Sequence, residues 1–227
     1  LFSYISKTKE EYNLRFKMKA ENENIFLELP CSEKEIAEFC EKAGIANTAK
    51  TSAIVDEVIY NDQANAMFRG KEMNLDKLNY LAKRLDSLGN KELETFYAVS
   101  YGEQIDNLND LINLTFNTHC ASVVRDFYNL DKVGKEMYLT AEGAVSPRVL
   151  EELNGAKYLA SVMAENPHPR VTPYGAVYKN SNPYEQVYDG IHFPQYAWEE
   201  SIADITLEYK GNSEYLYLPC EPSEISK

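Results

Sequence analysis

Apolar and polar positions alternate along 2–5, 14–19 and 25–29, with turn-forming residues at 20–24 between the last two. This predicts a small antiparallel meander. Pro30 ends the alternation, and the apolar spacing changes from two residues to a helical repeat. Ser32 and Glu35 supply the two halves of a capping box; Ile36, Phe39, Cys40 and Ala43 form the apolar stripe of the helix, and Gly44 stops it. A strand is expected over 53–60. The most regular stripe, Leu75, Leu78, Leu81, Leu85 and Leu88, predicts a helix over 75–88 capped by Asn74 and closed by Gly89. Leu78, Leu81 and Leu85 should be core residues. A second helix, 91–99, is expected behind it. The apolar run 108–116 fits helix or strand equally. Ser146-Pro147 opens a helix, with proline where its missing N–H costs nothing, and Asn154-Gly155 interrupts it before 158–165. From Asn166, prolines punctuate a tyrosine-rich stretch containing a short strand at 175–178. A hairpin over 202–209 and 214–218 turns around Gly211-Asn212.

One pattern returns. LELPCSEKEI at 27–36 recurs as LYLPCEPSEI at 216–225, with six of ten positions identical and no gap. A strand running through Pro-Cys into a helix start is one supersecondary unit, and its recurrence is the signature of a repeated module. The expectation is one complete module and the opening of a second, within a longer tandem protein. The chain therefore reads as α+β, built of consecutive small modules with short antiparallel sheets and packed helices in an elongated arrangement. Residues 1–100 form a strand–helix module around the leucine-rich helix, 101–178 an acidic α+β module, and 179–227 a Tyr/Pro-rich junction followed by the restart.

Composition adds a sign. The 227 residues carry a formal net charge of −13. Residues 1–100 hold 14 Lys/Arg against 17 Asp/Glu, whereas 101–227 hold 9 against 19. The acids are spread singly along an aromatic-rich stretch, unlike a disordered acidic tail. Such a surface repels nucleic acid and membranes and attracts a basic partner. Seventeen tyrosines suit surfaces that a partner partly covers. No apolar run is long enough to span a bilayer. The four cysteines fit no Cys-x-x-Cys pattern, and Cys31 and Cys220 occupy the same position of the repeat, which points to reduced structural thiols and a cytoplasmic setting.

Enzyme chemistry finds little support. His119 and Cys120 are neighbours whose side chains would diverge in a strand and could not pair as base and nucleophile. His168 lies between two prolines and His192 among apolar residues. No zinc-protease, nucleophile-elbow or phosphate-loop motif occurs. Glu151/Glu152 and Glu199/Glu200 are adjacent acids that point apart on a helix and make a poor glycosidase pair. Tyrosines that might otherwise stack on bases have few accompanying cations after residue 150, so direct nucleic-acid binding is disfavoured. No cofactor or metal is expected.

Several blocks, in order, resemble a known family. They are FSYISKTKEEYN, IFLELPCSEKEI with KAGI after it, NLDKLNYLAKRLDSL, DLINLTFNTHC, YNLDKVGKEMYL and AVSPRVLEELNGAKYLA followed by TPYGAVYK. Spanning roughly residues 1–178, they resemble the ArdA-type antirestriction proteins of mobile elements in the form found in Firmicutes; INLT and LNYLA are the most specific. The resemblance implies an elongated, acidic, non-enzymatic α+β protein, often a homodimer. Such proteins imitate B-form DNA and occupy the basic DNA-binding groove of type I restriction–modification enzymes, protecting incoming DNA. Residues 179–227 lie outside the family's usual single unit.

The physics of mimicry is separate from the resemblance. Duplex DNA carries one charge per ~1.7 Å of axis, so a net charge of −13 matches roughly 22 Å of duplex, and a dimer roughly twice that. Charge density, and not the resemblance, selects Asp106, Asp110, Asp126, Asp131, Glu136, Glu142, Glu151 and Glu152 as candidate target-binding carboxylates. Asp106 and Asp110 would lie about 6 Å apart if both were helical. The competing expectation is a non-enzymatic adaptor or structural module of a conjugative element, whose acidity is incidental. A hydrolase or transferase would require a concave pocket with convergent polar groups.

Overall fold

The computed structural model describes residues 15–19, 25–59, 62–195, 203–209 and 212–218. The fold is α+β. The chain divides into two compact units, one drawn from Leu1–Ser87 and Gly190–Lys227, the other formed by Leu88–Asp189.

In the first unit, β1 (Arg15–Lys19) pairs antiparallel with β2 (Phe26–Leu29) and with β3 (Ser52–Ile59), and β4 (Glu72–Asn74) extends the sheet on β3. The register sets Phe16 opposite Leu29 and Met18 opposite Leu27, so four apolar side chains share the buried face. A bulge between Lys17 and Met18 leaves Asp56 unmatched on β3, which lets Val55 and Val58 both turn inward although three residues separate them. On this face lie α1 (Glu33–Ala43), which buries Ile36, Phe39 and Cys40, and α3 (Leu75–Ser87), which buries Leu75, Leu78, Leu81 and Leu85. The expected capping box is present: the Ser32 N–H donates to Glu35 Oε2 at 2.9 Å, and the Glu35 N–H donates to Ser32 Oγ at 3.3 Å. Asn74 caps α3 by accepting from the Lys77 N–H at 2.9 Å. A short helix α2 (Asp62–Phe68) places Phe68 edge-on to Phe16, with ring centroids 5.4 Å apart.

Gly89 does not close α3. Its φ of −72° is ordinary, and its N–H donates to Glu92 Oε2 at 2.8 Å, so it begins the next helix, α4 (Asn90–Glu103). That helix, expected behind the leucine helix, belongs to the second unit.

The second unit contains α4, α5 (Leu108–Phe116), a 3-10 turn (Thr118–Cys120), β5 (Ala121–Val124), α6 (Leu130–Glu142), α7 (Pro147–Glu152) and α8 (Gly155–Glu165). The hairpin β6 (Arg170–Thr172) and β7 (Gly175–Lys179) completes it. The run 108–116 is a helix: Asn107 caps it, and Leu108, Leu111, Ile112 and Leu114 are buried. The sheet order is β5-β7-β6, all antiparallel, and this leaves β5 at an edge. Val124 and Tyr178 face Met137 of α6 and Leu159 and Val162 of α8. At the crossing of α6 and α8, a Cβ on Gly134 would lie 1.8 Å from the Gly155 carbonyl oxygen, so the backbones touch.

The expected C-terminal hairpin is β8 (Ala203–Tyr209) with β9 (Asn212–Leu218). Its register sets Leu216 opposite Ile205 and Leu218 opposite Ala203. In both copies of the repeated motif, then, the Leu-x-Leu segment is the second strand of an antiparallel pair. The Pro-Cys and helix-start portion of the second copy, like the strand expected at 2–5, lies outside the described residues.

Candidate functional site

All eight carboxylates selected from the sequence fall in the second unit, and all eight are exposed. Their local engagements differ. Asp110 is part of a cap: its N–H donates to Asn107 Oδ1 at 2.9 Å, and its carboxylate accepts from Asn107 Nδ2 at 2.6 Å. Asp106 precedes that cap, so the helical spacing expected between Asp106 and Asp110 does not apply. Asp131 joins two helices. It accepts the Gly155 N–H at 2.8 Å and pairs with Lys135 at 3.0 Å, and the Lys135 contact together with that N–H holds its carboxyl below the usual aspartate range. Glu136 lies between Lys91 (3.7 Å) and Lys132 (4.0 Å), and Glu152 pairs with Arg148 at 2.9 Å. Asp126 accepts the Tyr128 N–H in a tight turn. Among the described residues, Asp126, Glu142 and Glu151 make no ion pair.

Glu142 has a companion that the sequence reading missed. α6 ends on Glu142 and α8 on Glu165, and neither helix has a basic residue in its last turn. Helix C-termini favour cations, so these two acids add to the negative ends of their helices instead of offsetting them. Both act on Tyr158, whose ring meets that of Tyr138 edge-to-face at 5.2 Å. Burial, then Glu142, Tyr138 and Glu165, push the Tyr158 hydroxyl above its ordinary range. Acids at helix C-ends with no cation in the last turn were a legible signal.

A cavity of about 350 Å³ opens elsewhere in this unit. Its floor is Ser122–Arg125; α4 supplies Lys91, Glu94 and Thr95, and α6 supplies Lys132, Val133, Glu136, Met137 and Thr140. Its charged groups pair across it: Arg125 to Glu94 at 2.5 Å and Lys91 to Glu136 at 3.7 Å. Of the predicted acids only Asp126 and Glu136 line it. The polar groups converge but are engaged with one another, and neither a histidine nor a cysteine lines the cavity.

His119 and Cys120 are closer than a strand would bring them. They sit in the 3-10 turn, with Cys120 Sγ 3.6 Å from His119 Nε2. Burial, with Glu185 adding to it, pushes the thiol up, so Cys120 is held as the unreactive thiol at neutral pH. Among the described residues, no group of three or more His, Cys, Asp or Glu is placed to hold a metal, and no helix is long and apolar enough to cross a membrane.

Sequence reasoning also missed a recurring device. Asn113 on α5 accepts the Tyr188 N–H at 2.8 Å and donates to its carbonyl at 3.0 Å; Asn117 does the same for Glu185, at 2.8 Å both ways. In the first unit, Asn79 on α3 treats Cys31 identically, at 2.9 Å both ways. Asn113 is the asparagine of INLT and Asn79 that of LNYLA, so the most specific blocks of the chain carry clamps on its own backbone.

Comparison with family models, with curated proteins and with solved structures finds no match to this chain.

Proposed function

We propose that the chain is a non-enzymatic, acidic inhibitor that occupies the basic DNA-binding groove of a type I restriction–modification enzyme in place of duplex DNA. The reading rests on one observation above others: α6 and α8 both end in carboxylates, Glu142 and Glu165, where helix dipoles favour cations. Acids placed against the local electrostatics of folding are explained by an external basic partner. The exposure of all eight candidate acids and the block resemblance to ArdA-type proteins agree with it. The second unit holds 14 Asp/Glu against 8 Lys/Arg, a net of −6 that matches only about 10 Å of duplex. Effective mimicry therefore calls on the rest of the chain or a second copy. The test is competition: the purified chain at low salt should displace a labelled duplex from a type I enzyme and block cleavage. Failure to do either would sink the proposal.

The mixed-charge cavity favours a second reading, an adaptor of a mobile element that binds a protein partner without imitating DNA. Retained partner binding with no competition against duplex would select it.

A further inference from the structure

We propose that the open edge of β5 takes an extended peptide strand from a partner protein, neutral within the groove and basic at its flanks. This goes beyond the mimicry reading and does not depend on it. Ala121 lies opposite Lys179 and Val123 opposite Val177. One step before, the Asn180 N–H donates to the Cys120 carbonyl at 3.0 Å. Hydrogen-bonded pairs alternate in an antiparallel ladder, so Ser122 and Val124 exchange bonds with β7, whereas Ala121 and Val123 turn their backbone groups away. The Ala121 N–H confirms the phase by donating back to the Thr118 carbonyl. The N–H and C=O of Val123 thus point off the sheet, where no described strand lies beside β5. Arg125, the first residue past β5, is next in that alternation.

The cavity sits at that edge: it is floored by Ser122–Arg125, contains no residue of β6 or β7, and is walled by α4 on one side and α6 on the other. Val123 offers a donor and an acceptor, and the Ala121 carbonyl lies two residues before them, about 7 Å along the strand; this spacing matches another peptide backbone and matches few small molecules. Side chains alternating along a docked strand would meet Val133 and Met137 on the α6 wall and Thr95 and Glu94 on the α4 wall. The groove balances three cations against three acids, whereas the unit around it is net acidic, which selects neutral residues inside and basic residues at the ends. Phe127 and Tyr128, 42% and 97% exposed, stand where the strand leaves the groove and offer aromatic anchors.

The probe is a fluorescent peptide, Lys-Lys-Thr-Val-Thr-Val-Thr-Val-Lys-Lys, titrated into the intact chain. Saturable binding is expected, with the Val123 and Arg125 amides gaining protection from hydrogen exchange. N-methylation of alternate residues along one edge of the peptide should weaken binding at least tenfold, and glutamate flanks should do likewise. Val123→Pro removes an N–H that the ladder does not use, a position where edge strands tolerate proline. It should keep the thermal unfolding midpoint and lose binding at least tenfold. The proposal is overturned by equal binding of the N-methylated peptide, or by full binding to the Val123→Pro variant. Loss of folding in that variant would overturn the strand phase. Protection of the same two amides that rises with protein concentration in the absence of peptide would assign the edge to a second copy of the chain instead.

Discussion

At the scale of single residues, the asparagine clamps do what apolar packing cannot. The stretch 183–188 contains no regular element, so its backbone groups have no ladder to enter, and buried polar groups without partners are costly. Asn113, 2% exposed, satisfies both groups of Tyr188, whose side chain is itself buried. Asn113→Ala should cost about 1–3 kcal/mol in urea unfolding, because it removes one partner and leaves two buried groups unmatched. A change below about 0.5 kcal/mol would mean that water replaces the amide and that the clamp adds little. Asn117→Ala should act in the same direction on the same segment, and the pair should be non-additive because the two side chains hold one strap. None of this was legible in the sequence. An asparagine inside an apolar helical run reads as a weak point of the pattern, and its bonding partner, 75 residues away for Asn113, is set by tertiary structure. The leucine stripe of α3 was legible because periodicity reports burial directly, and Leu78, Leu81 and Leu85 are each at most 2% exposed.

At the scale of elements, what could be read was what is local. The capping box at Ser32 and the proline-led start of α7 are each decided within four residues, and each is present; Asn154-Gly155, expected to interrupt a helix that resumes at 158, instead caps and begins α8. The short β4 and β6, three residues apiece, exist only because a neighbouring strand pairs with them, and the sequence carries too little alternation to announce them. The crossing of α6 and α8 was invisible for the same reason, since a glycine in a helical pattern looks like a flaw. Gly134→Ala decides the matter by its sign. Helix propensity alone predicts a gain of about 1 kcal/mol. The Gly155 carbonyl 1.8 Å from the new Cβ predicts a loss of about 1–3 kcal/mol or more, as in overpacked cores, read as a lower denaturation midpoint. Asp131 secures the same junction electrostatically. Its folded value lies below the usual 3.8 of an aspartate, so its contribution is fully present above that pH and fades as pH falls through the lower folded value. Asp131→Asn should therefore flatten the acid limb of the stability–pH curve and leave its slope near neutrality unchanged; an unaltered acid limb would remove Asp131 from the account.

At the scale of the whole molecule, the net charge of −13 decides how the proposed binding to a basic groove must behave. Attraction summed over many exposed, screened charges has no single hot residue, and its strength falls with the logarithm of salt in proportion to the counterions released. The fair test removes charge without removing structure. Asp110, Asp131 and Glu136 are poor choices because they cap helices or bridge elements, so their neutralisation would mix a folding defect with an electrostatic one. Glu142, Glu151 and Glu165 are exposed and lie at helix ends or on the short α7. Their combined replacement by glutamine should leave stability equal or slightly higher, since Glu142 and Glu165 oppose the dipoles of α6 and α8. Each single replacement should alter inhibition of a type I restriction enzyme little. The triple variant, with Asp126→Asn as a fourth step, should weaken it progressively and reduce the slope of log affinity against log salt by about one unit for each neutralised carboxylate that faces a cation of the target. Weakened inhibition with an unchanged salt slope would indicate a shape-dependent contact in place of phosphate mimicry. Undiminished inhibition by the fourfold variant would separate these acids from the target surface altogether.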